Sequence, residues 1–318
     1  MMMLLVVVVA SALAPSDVVV MMNGLPGKMG IEVADACARR GMSLAEVALT
    51  GKEESAPIEV ASTTVKLVEA GTPEAEEAMA SVVASCDELG KTLVAIDYTV
   101  PEAAVPNAEL YARHGVSFVM GTTGGDRAAL ERSVLDGHHC AVIAPNMAKQ
   151  IVALQAAIDY AATEFPGAFK GYKLDVIESH QSTKLDTSGT AKAIVSALVS
   201  LVDEAPDAAA ATDAIAAISR VRDAPTQLEG AGGRLQRVPE TALSGHAYHT
   251  YGLTSADDSV RFELRHNVNG RRVYAEGTAD AALFLARRLA QRQEETPAAG
   301  KKKRLFDMID VLKSGELA

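Results

Sequence analysis

The sequence contains no tryptophan, and phenylalanine and tyrosine together supply only 4% of its 318 residues. A surface that stacks bases on aromatic rings is therefore poorly provided for. Basic charge is also short. Thirty lysines and arginines stand against 41 acids, for a net charge of −11, and the only basic cluster runs from Lys301 to Arg304. Both shortages argue against a nucleic-acid partner. Cysteine is scarce and scattered: Cys37, Cys86 and Cys140 form no Cys-x-x-Cys pair. They read as free, packed thiols of a reducing compartment rather than a disulfide framework. No apolar run is long enough to span a bilayer, so no membrane partner is expected. The opening MMMLLVVVVASALAPS comes nearest. It has the apolar stretch of a secretory leader and small residues at Ala12 and Ala14, but no positive start. It also lacks the arginine and serine richness of a transit peptide. Residues 1–15 are set aside as a leader or a misassigned start.

Apolar residues make up 48% of the chain, enough for two ordinary cores. Strands are expected at Val18–Met22, Leu44–Leu49, Thr64–Val68, Leu93–Asp97, Val116–Met120 and Cys140–Ala144. Helices are expected between them, at Gly27–Arg40, Glu74–Glu88, Pro101–His114 and Arg127–Leu135. This order predicts an α/β, doubly wound, Rossmann-like parallel-sheet domain over residues 16–149. The character changes after Ile151. A helix at Ile151–Glu164 is followed by strand-like runs at Tyr172–Glu178, Ala216–Val221, Ala247–Thr254, Ser259–His266 and Arg272–Gly277, with a helix at Ala191–Val202. Residues 150–279 read as an α+β substrate domain with a mixed or antiparallel sheet. Gln291–Lys303 looks like a polar linker, and Leu305–Leu312 like a last amphipathic helix.

Three turns at strand ends suit a nucleotide. Gly24-Leu25-Pro26-Gly27-Lys28-Met29-Gly30 joins the first strand to the first helix with Gly-x-x-Gly-x-x-Gly spacing. Gly24 allows a tight turn, Gly27 a close approach of backbone to pyrophosphate, and Gly30 close helix–sheet contact. Alone, the pattern fits a plain strand–helix connection about as well; its place in a βαβ unit favours a dinucleotide. Lys52, just past the second strand, could pair with a 2′-phosphate. That tilts the expectation toward NADPH, with NADH as the alternative, although a solvated surface lysine fits Lys52 equally well. Gly121-Thr122-Thr123 and Ala144-Pro145-Asn146-Met147 end later strands of the same sheet, placed to meet the nicotinamide end.

The densest chemistry lies in Glu178–Lys192, ESHQSTKLDTSGTAK. His180 can deliver a proton, and Lys184, four residues on, can anchor a carboxylate or supply the proton itself. Ser188, Gly189 and Thr190 begin a helix, with Asp186 or Thr187 as its cap, so the Gly189 and Thr190 amides could bind an anion. A lone histidine is usually structural; beside Lys184 and this turn that reading recedes. No metal is expected. His138, His139 and Cys140 are adjacent on a strand and face opposite sides, and His246 and His249, three apart, also point apart.

These residues together resemble the 4-hydroxy-tetrahydrodipicolinate reductase (dihydrodipicolinate reductase) family of lysine biosynthesis through diaminopimelate. The likeness runs from about Val18 to Leu312. It includes the Gly24–Gly30 loop, Asp97-Tyr98-Thr99 before Pro101-Glu102, the Gly121 turn and ESHQSTKLDTSGTAK. GTTGGDR, FPGAFKGY, SGHAYH and LFDMIDVLK are closer to its plant and algal branch. The resemblance implies His180 as proton donor and acceptor and Lys184 as second donor and substrate contact. It implies Gly189 and Thr190 as carboxylate binders and the three turns named above as cofactor contacts. Gln181 and Ser188, in the same motif, are expected to join the substrate contacts, and Lys52 the cofactor contacts from its place past the second strand. Bacterial members usually carry a second histidine after the catalytic one, where this chain has Gln181, and Arg-His where it has Ser182-Thr183. A small dicarboxylate cyclic imine is the implied substrate. It loses water, takes a hydride from the nicotinamide, and then takes a proton from His180. The resemblance further implies a nucleotide domain completed by residues 280–318, a homo-oligomer (dimer or tetramer), and the plastid stroma, with cytoplasm as the alternative.

Two other readings predict different behaviour. A different two-domain amino- or hydroxy-acid dehydrogenase would turn over a simple acid independently of the Lys184 region. A non-catalytic NAD(P)-binding sensor would bind cofactor unchanged by His180→Gln. A sensor has no need of a proton donor, which counts against it.

Overall fold

A computed structural model describes residues 13–52, 56–122, 124–204, 206, 208–294 and 303–315. The chain divides into two compact units, one running to Ala144 and resuming at Ala275, the other spanning Pro145–Tyr274.

The first unit alternates strand and helix: β1 (Val18–Asn23), α1 (Lys28–Arg39), β2 (Ser43–Leu44), β3 (Val47–Thr50), β4 (Ile58–Val60), β5 (Thr63–Glu69), α2 (Pro73–Glu88), β6 (Thr92–Asp97), α3 (Pro101–Arg113), β7 (Ser117–Met120), α4 (Arg127–Asp136) and β8 (Ala141–Ile143). All six residues of β1 are buried, as befits a strand covered on both faces of a parallel sheet. The run expected as one strand at Leu44–Leu49 is two. β2 pairs with β1, whereas β3 pairs with β5, which also carries β4 antiparallel.

The second unit comprises α5 (Lys149–Glu164), β9 (Lys173–His180), α6 (Gly189–Val202), α7 (Ala208–Ala216), β10 (Ser219–Val221), α8 (Ala224–Glu229), β11 (His246–Thr254) and β12 (Arg261–Asn269). Its mixed sheet has the order β10-β9-β11-β12, with β10 parallel to β9 and the other pairs antiparallel. Leu174, Val176, Tyr251, Leu253 and Leu264 on one face pack with α5 and α6 residues, including Ile158, Ile194, Val195 and Leu198. The strand expected over Ala216–Val221 is shorter, because Ala216 still belongs to α7.

The largest correction concerns Arg272–Gly277. It is not a strand but the first turns of α9 (Arg272–Glu294). Alternation of Val273 and Ala275 mimics a strand over six residues. The longer series Ala275, Ala279, Ala282, Leu283 and Ala286, all buried, keeps helical spacing. The chain then returns to the first unit. Leu305–Phe306 forms β13 rather than the start of a helix, and α10 (Met308–Lys313) follows. The completed parallel sheet has the order β13-β8-β7-β6-β1-β2. Its order reverses between β1 and β6, which puts a ligand crevice at the carboxyl ends of those two strands. No described helix is long and apolar enough to cross a membrane.

Candidate active site

In the first unit, β1 runs into Gly24 at φ +98°, a conformation glycine takes freely. A Cβ at Gly24 would stand 2.5 Å from the Tyr98 carbonyl oxygen, and one at Gly27 would stand 2.6 Å from that of Gly24. The Gly24 and Gly27 amides donate to Leu49 O and Gly24 O, and the Thr50 hydroxyl donates to Leu25 O at 2.7 Å. No side chain caps α1, whose first amides are left for a ligand. This cradle fits a pyrophosphate.

Beneath it lies Asp97, fully buried. Its Oδ2 accepts from the Tyr111 hydroxyl (2.7 Å) and the Asn107 amide (2.9 Å). Its Oδ1 accepts from the Thr99 amide and hydroxyl. Asn23 extends the network, donating to the Tyr111 oxygen and accepting from the Leu49 amide. The ends of β1, β3 and β6 are thereby locked together. Gly121, after β7, lies where a Cβ would run into the Tyr98 ring, and the Thr122 hydroxyl donates to Thr99 O. Thr123 lies outside the described residues. Lys28 and Lys52 are exposed, Met29 is half-buried, and Pro26 lies at the turn.

Ala144 closes the first stretch of this unit, whereas Pro145, Asn146 and Met147 belong to the second. There the Asn146 amide donates to the Thr190 hydroxyl at 3.0 Å, and Met147 is buried. A cavity of the first unit, about 570 Å³, lies between α2 and α3 and holds none of the nucleotide turns. Its Glu76, Glu77 and Glu109 make it a poor phosphate site.

In the second unit β9 delivers His180 to a cavity of about 230 Å³, lined also by Gln181, Lys184, Gly245, His246, Gly270, Arg271 and Tyr274. Lys184 pairs with Asp186 at 2.8 Å. α6 starts just beyond, and its cap is Ser188 rather than Asp186 or Thr187: the Ser188 hydroxyl accepts from the Ala191 amide. His246 uses both ring nitrogens, Nδ1 donating to Ala242 O and Nε2 meeting the Ser179 hydroxyl, so its role is structural.

Glu178, two residues before His180 and thus on the same face, is fully buried. Arg222 donates to its Oε1 at 2.5 Å, and the Ser188 amide donates to its Oε2 at 3.0 Å. His249, opposite Glu178 on β11, brings its Nε2 to 3.7 Å from Oε2. Glu178, His180 and His249 are the one group of such side chains among the described residues within reach of a common cation. The guanidinium already on the carboxylate makes this an ion-paired hub instead. Burial, then the charges of Arg222 and Lys184, hold His180 down at about 3. Burial, then its neighbour His266, pushes His249 well below its ordinary value. Near neutral pH both rings are neutral.

The family models "Dihydrodipicolinate reductase, N-terminus" and "Dihydrodipicolinate reductase, C-terminus" match residues 18–147 and 150–312. The chain belongs to the dihydrodipicolinate reductase family. It is 42% identical over 310 residues to the chloroplastic 4-hydroxy-tetrahydrodipicolinate reductase 1 of Arabidopsis thaliana, covering 97% of this chain and 82% of that one. It is also 42% identical over 309 residues to reductase 2 of the same plant, covering 96% and 81%. Among solved structures, a dipicolinate-bound dihydrodipicolinate reductase from Paenisporosarcina sp. TG-14 aligns with TM-score 0.56 at 19% identity, over 91% of this chain and 96% of that one, a likeness of fold.

Sequence reasoning missed four residues in and around this cavity: Glu178 as a hub, Arg222, His249 and Arg271. Glu178 was legible from strand alternation with His180. Arg222 and Arg271 follow the ends of β10 and β12, and His249 lies within β11. All three are remote in the chain, and no local pattern marks them.

Proposed function

We propose that this chain reduces 4-hydroxy-tetrahydrodipicolinate to tetrahydrodipicolinate with loss of water, in the diaminopimelate route to lysine and in the plastid stroma. The observation that carries the reading is the cavity of the second unit. There His180, Lys184 and Arg271 face one small space, beside a loop leading to the start of α6. Two cations and a run of helix amides suit a ring bearing two carboxylates. Gln181, Gly189 and Thr190 are the further substrate contacts, while Ser188, whose hydroxyl caps α6 and whose amide donates to Glu178, serves them by holding the helix start.

A reduced nicotinamide dinucleotide, held by Gly24–Met29, Gly121–Thr123 and the Ala144–Met147 segment, supplies the hydride when bound. NADPH is preferred in this reading, on the strength of Lys52. The protein's own task is to place the ring and manage one proton. His180 starts neutral, so it must first gain the proton it gives. Burial first, and the charges of Arg222 and Lys184 second, keep the imidazole deprotonated. The carboxylates of a bound ring oppose the second of these and bring a counter-charge to the imidazolium, so in this reading substrate binding raises the proton affinity of His180. Lys184 holds a carboxylate and stands as the second donor. A homodimer or homotetramer is the expected assembly, checked by light scattering.

The test is oxidation of NADPH and of NADH, followed optically, with freshly generated hydroxy-tetrahydrodipicolinate. Turnover is expected with both and faster with NADPH. Folded protein that oxidises neither sinks the proposal.

A further inference from the structure

The geometry points to Glu178 and Arg222 as a pair of positioning residues that set the catalytic loop, although neither lines the cavity. This inference rests on the reductase reading and deepens it. Three parts of the site must hold a fixed mutual position: His180 at the end of β9, Lys184 in the following loop, and the start of α6. One ion pair, its carboxylate fully buried and its guanidinium partly so, reaches all three, Glu178 Oε1 standing 3.8 Å from His180 Nδ1. Glu178 shares a strand face with His180 two residues on, and its Oε2 fixes the Ser188 amide at the head of α6. Arg222, one residue past β10, binds Oε1 through Nη2 and holds its own strand through Nη1, which donates to Val221 O at 3.0 Å. It turns Nε and Nη2 on the loop. Nε donates to Lys184 O at 2.6 Å, and Nη2 also reaches Asp186 O at 3.2 Å.

The loop makes little other hold on the sheet. Lys184 N–H closes a turn on Gln181 O, and Arg220 donates to Leu185 O at 3.2 Å. Leu185 is 81% exposed and Asp186 is exposed, so apolar packing does not fix this stretch. Hydrogen bonds from a planar, five-donor guanidinium do so instead. Lysine at position 222 would supply the charge but not the fork. Gln227 completes the arrangement from the same side, its amide donating to His180 O at 2.8 Å.

The experiment compares Glu178→Gln, Arg222→Lys, Arg222→Met and the double variant Glu178→Gln/Arg222→Met. A displacement of about 1 Å in a reacting group costs on the order of 100-fold in rate. Each single variant is therefore expected to lose about 10- to 100-fold in kcat, and to raise the KM for the dicarboxylate while leaving that for NADPH unchanged. Arg222→Lys should not rescue. The double variant should be no worse than the poorer single one, because both remove the same pair. Amide hydrogen exchange over residues 181–190 should quicken in every variant. That readout needs no turnover, so it judges the positioning role even if the reductase assay fails with wild-type protein. Losses that multiply in the double variant, a raised KM for NADPH, full rescue by lysine, or unchanged exchange would each overturn the inference.

Discussion

Asp97 and Glu178 are both fully buried carboxylates at the carboxyl end of a strand, and they are satisfied by opposite means. Asp97 is caged by neutral donors alone: two hydroxyls, a side-chain amide and a backbone N–H. Glu178 takes a guanidinium and a backbone N–H, and stands beside two imidazoles, of which His249 has neither ring nitrogen bonded within the protein. The first arrangement fixes backbone and does nothing more, which suits a cradle that must present amides to a ligand. The second places a fixed positive charge near a titratable ring whose proton affinity a ligand can change. One carboxylate organises a scaffold, the other a responsive site.

The comparison breaks hardest at the responsive site. His180→Gln and Lys184→Ala are each expected to lower kcat by roughly 10²–10⁴-fold, while the dissociation constant for NADPH, read by fluorescence titration, stays put. A variant that loses cofactor binding in parallel would show that the two sites are not chemically separate. Next in size is the scaffold. Asp97→Leu strands Tyr111, Asn107 and Thr99 without their acceptor, and should cost roughly 3 kcal/mol in urea unfolding. NADPH binding should weaken with it, because the Gly24 turn rests on this network. Unfolding no earlier than wild type would remove Asp97 from the scaffold.

A smaller effect concerns acid. His180 and His266 are held at about 3 and about 4, both by burial, and His249 is lowered too. In the unfolded chain such rings take up protons near 6.5. The unfolded state therefore binds more protons between roughly 6.5 and 4, and stability falls as pH drops through that window. In the first unit His139, at about 4, is the matching buried ring. Thermal unfolding should shift down between pH 7 and pH 5, and His266→Phe should shrink the shift. The smallest effect belongs to Lys52. As an exposed charge it should alter the affinity for NADPH by roughly fivefold or less in Lys52→Ala, with NADH unaffected. Equal changes for both cofactors would dismiss its pairing with a 2′-phosphate.

The two regions were also unequally legible. In the first unit the split of Leu44–Leu49 into β2 and β3 could not be read, because only pairing separates them. β1 and β7, however, are short, apolar and followed by glycine turns, so the parallel sheet and its cradle could be read locally. His180, Lys184 and Ser188–Thr190 were legible for the same reason, being neighbours in one motif. Arg222, His249 and Arg271 reach the site through sheet pairing and turns, which leave no periodic trace. Strand register decides that His249 faces Glu178. The misread start of α9 has a related cause. Arg272–Gly277 alternates like a strand over six residues, but in a 23-residue helix the longer helical series prevails.

Proton uptake by a neutral His180, when an acidic ring enters the cavity, is the step on which the proposed chemistry turns. Calorimetry of pyridine-2,6-dicarboxylate binding near pH 7.5, repeated in buffers of different ionisation enthalpy, measures this directly. The account predicts uptake of up to about one proton by the wild-type protein and none by His180→Gln. Tight binding with a heat independent of buffer would contradict it.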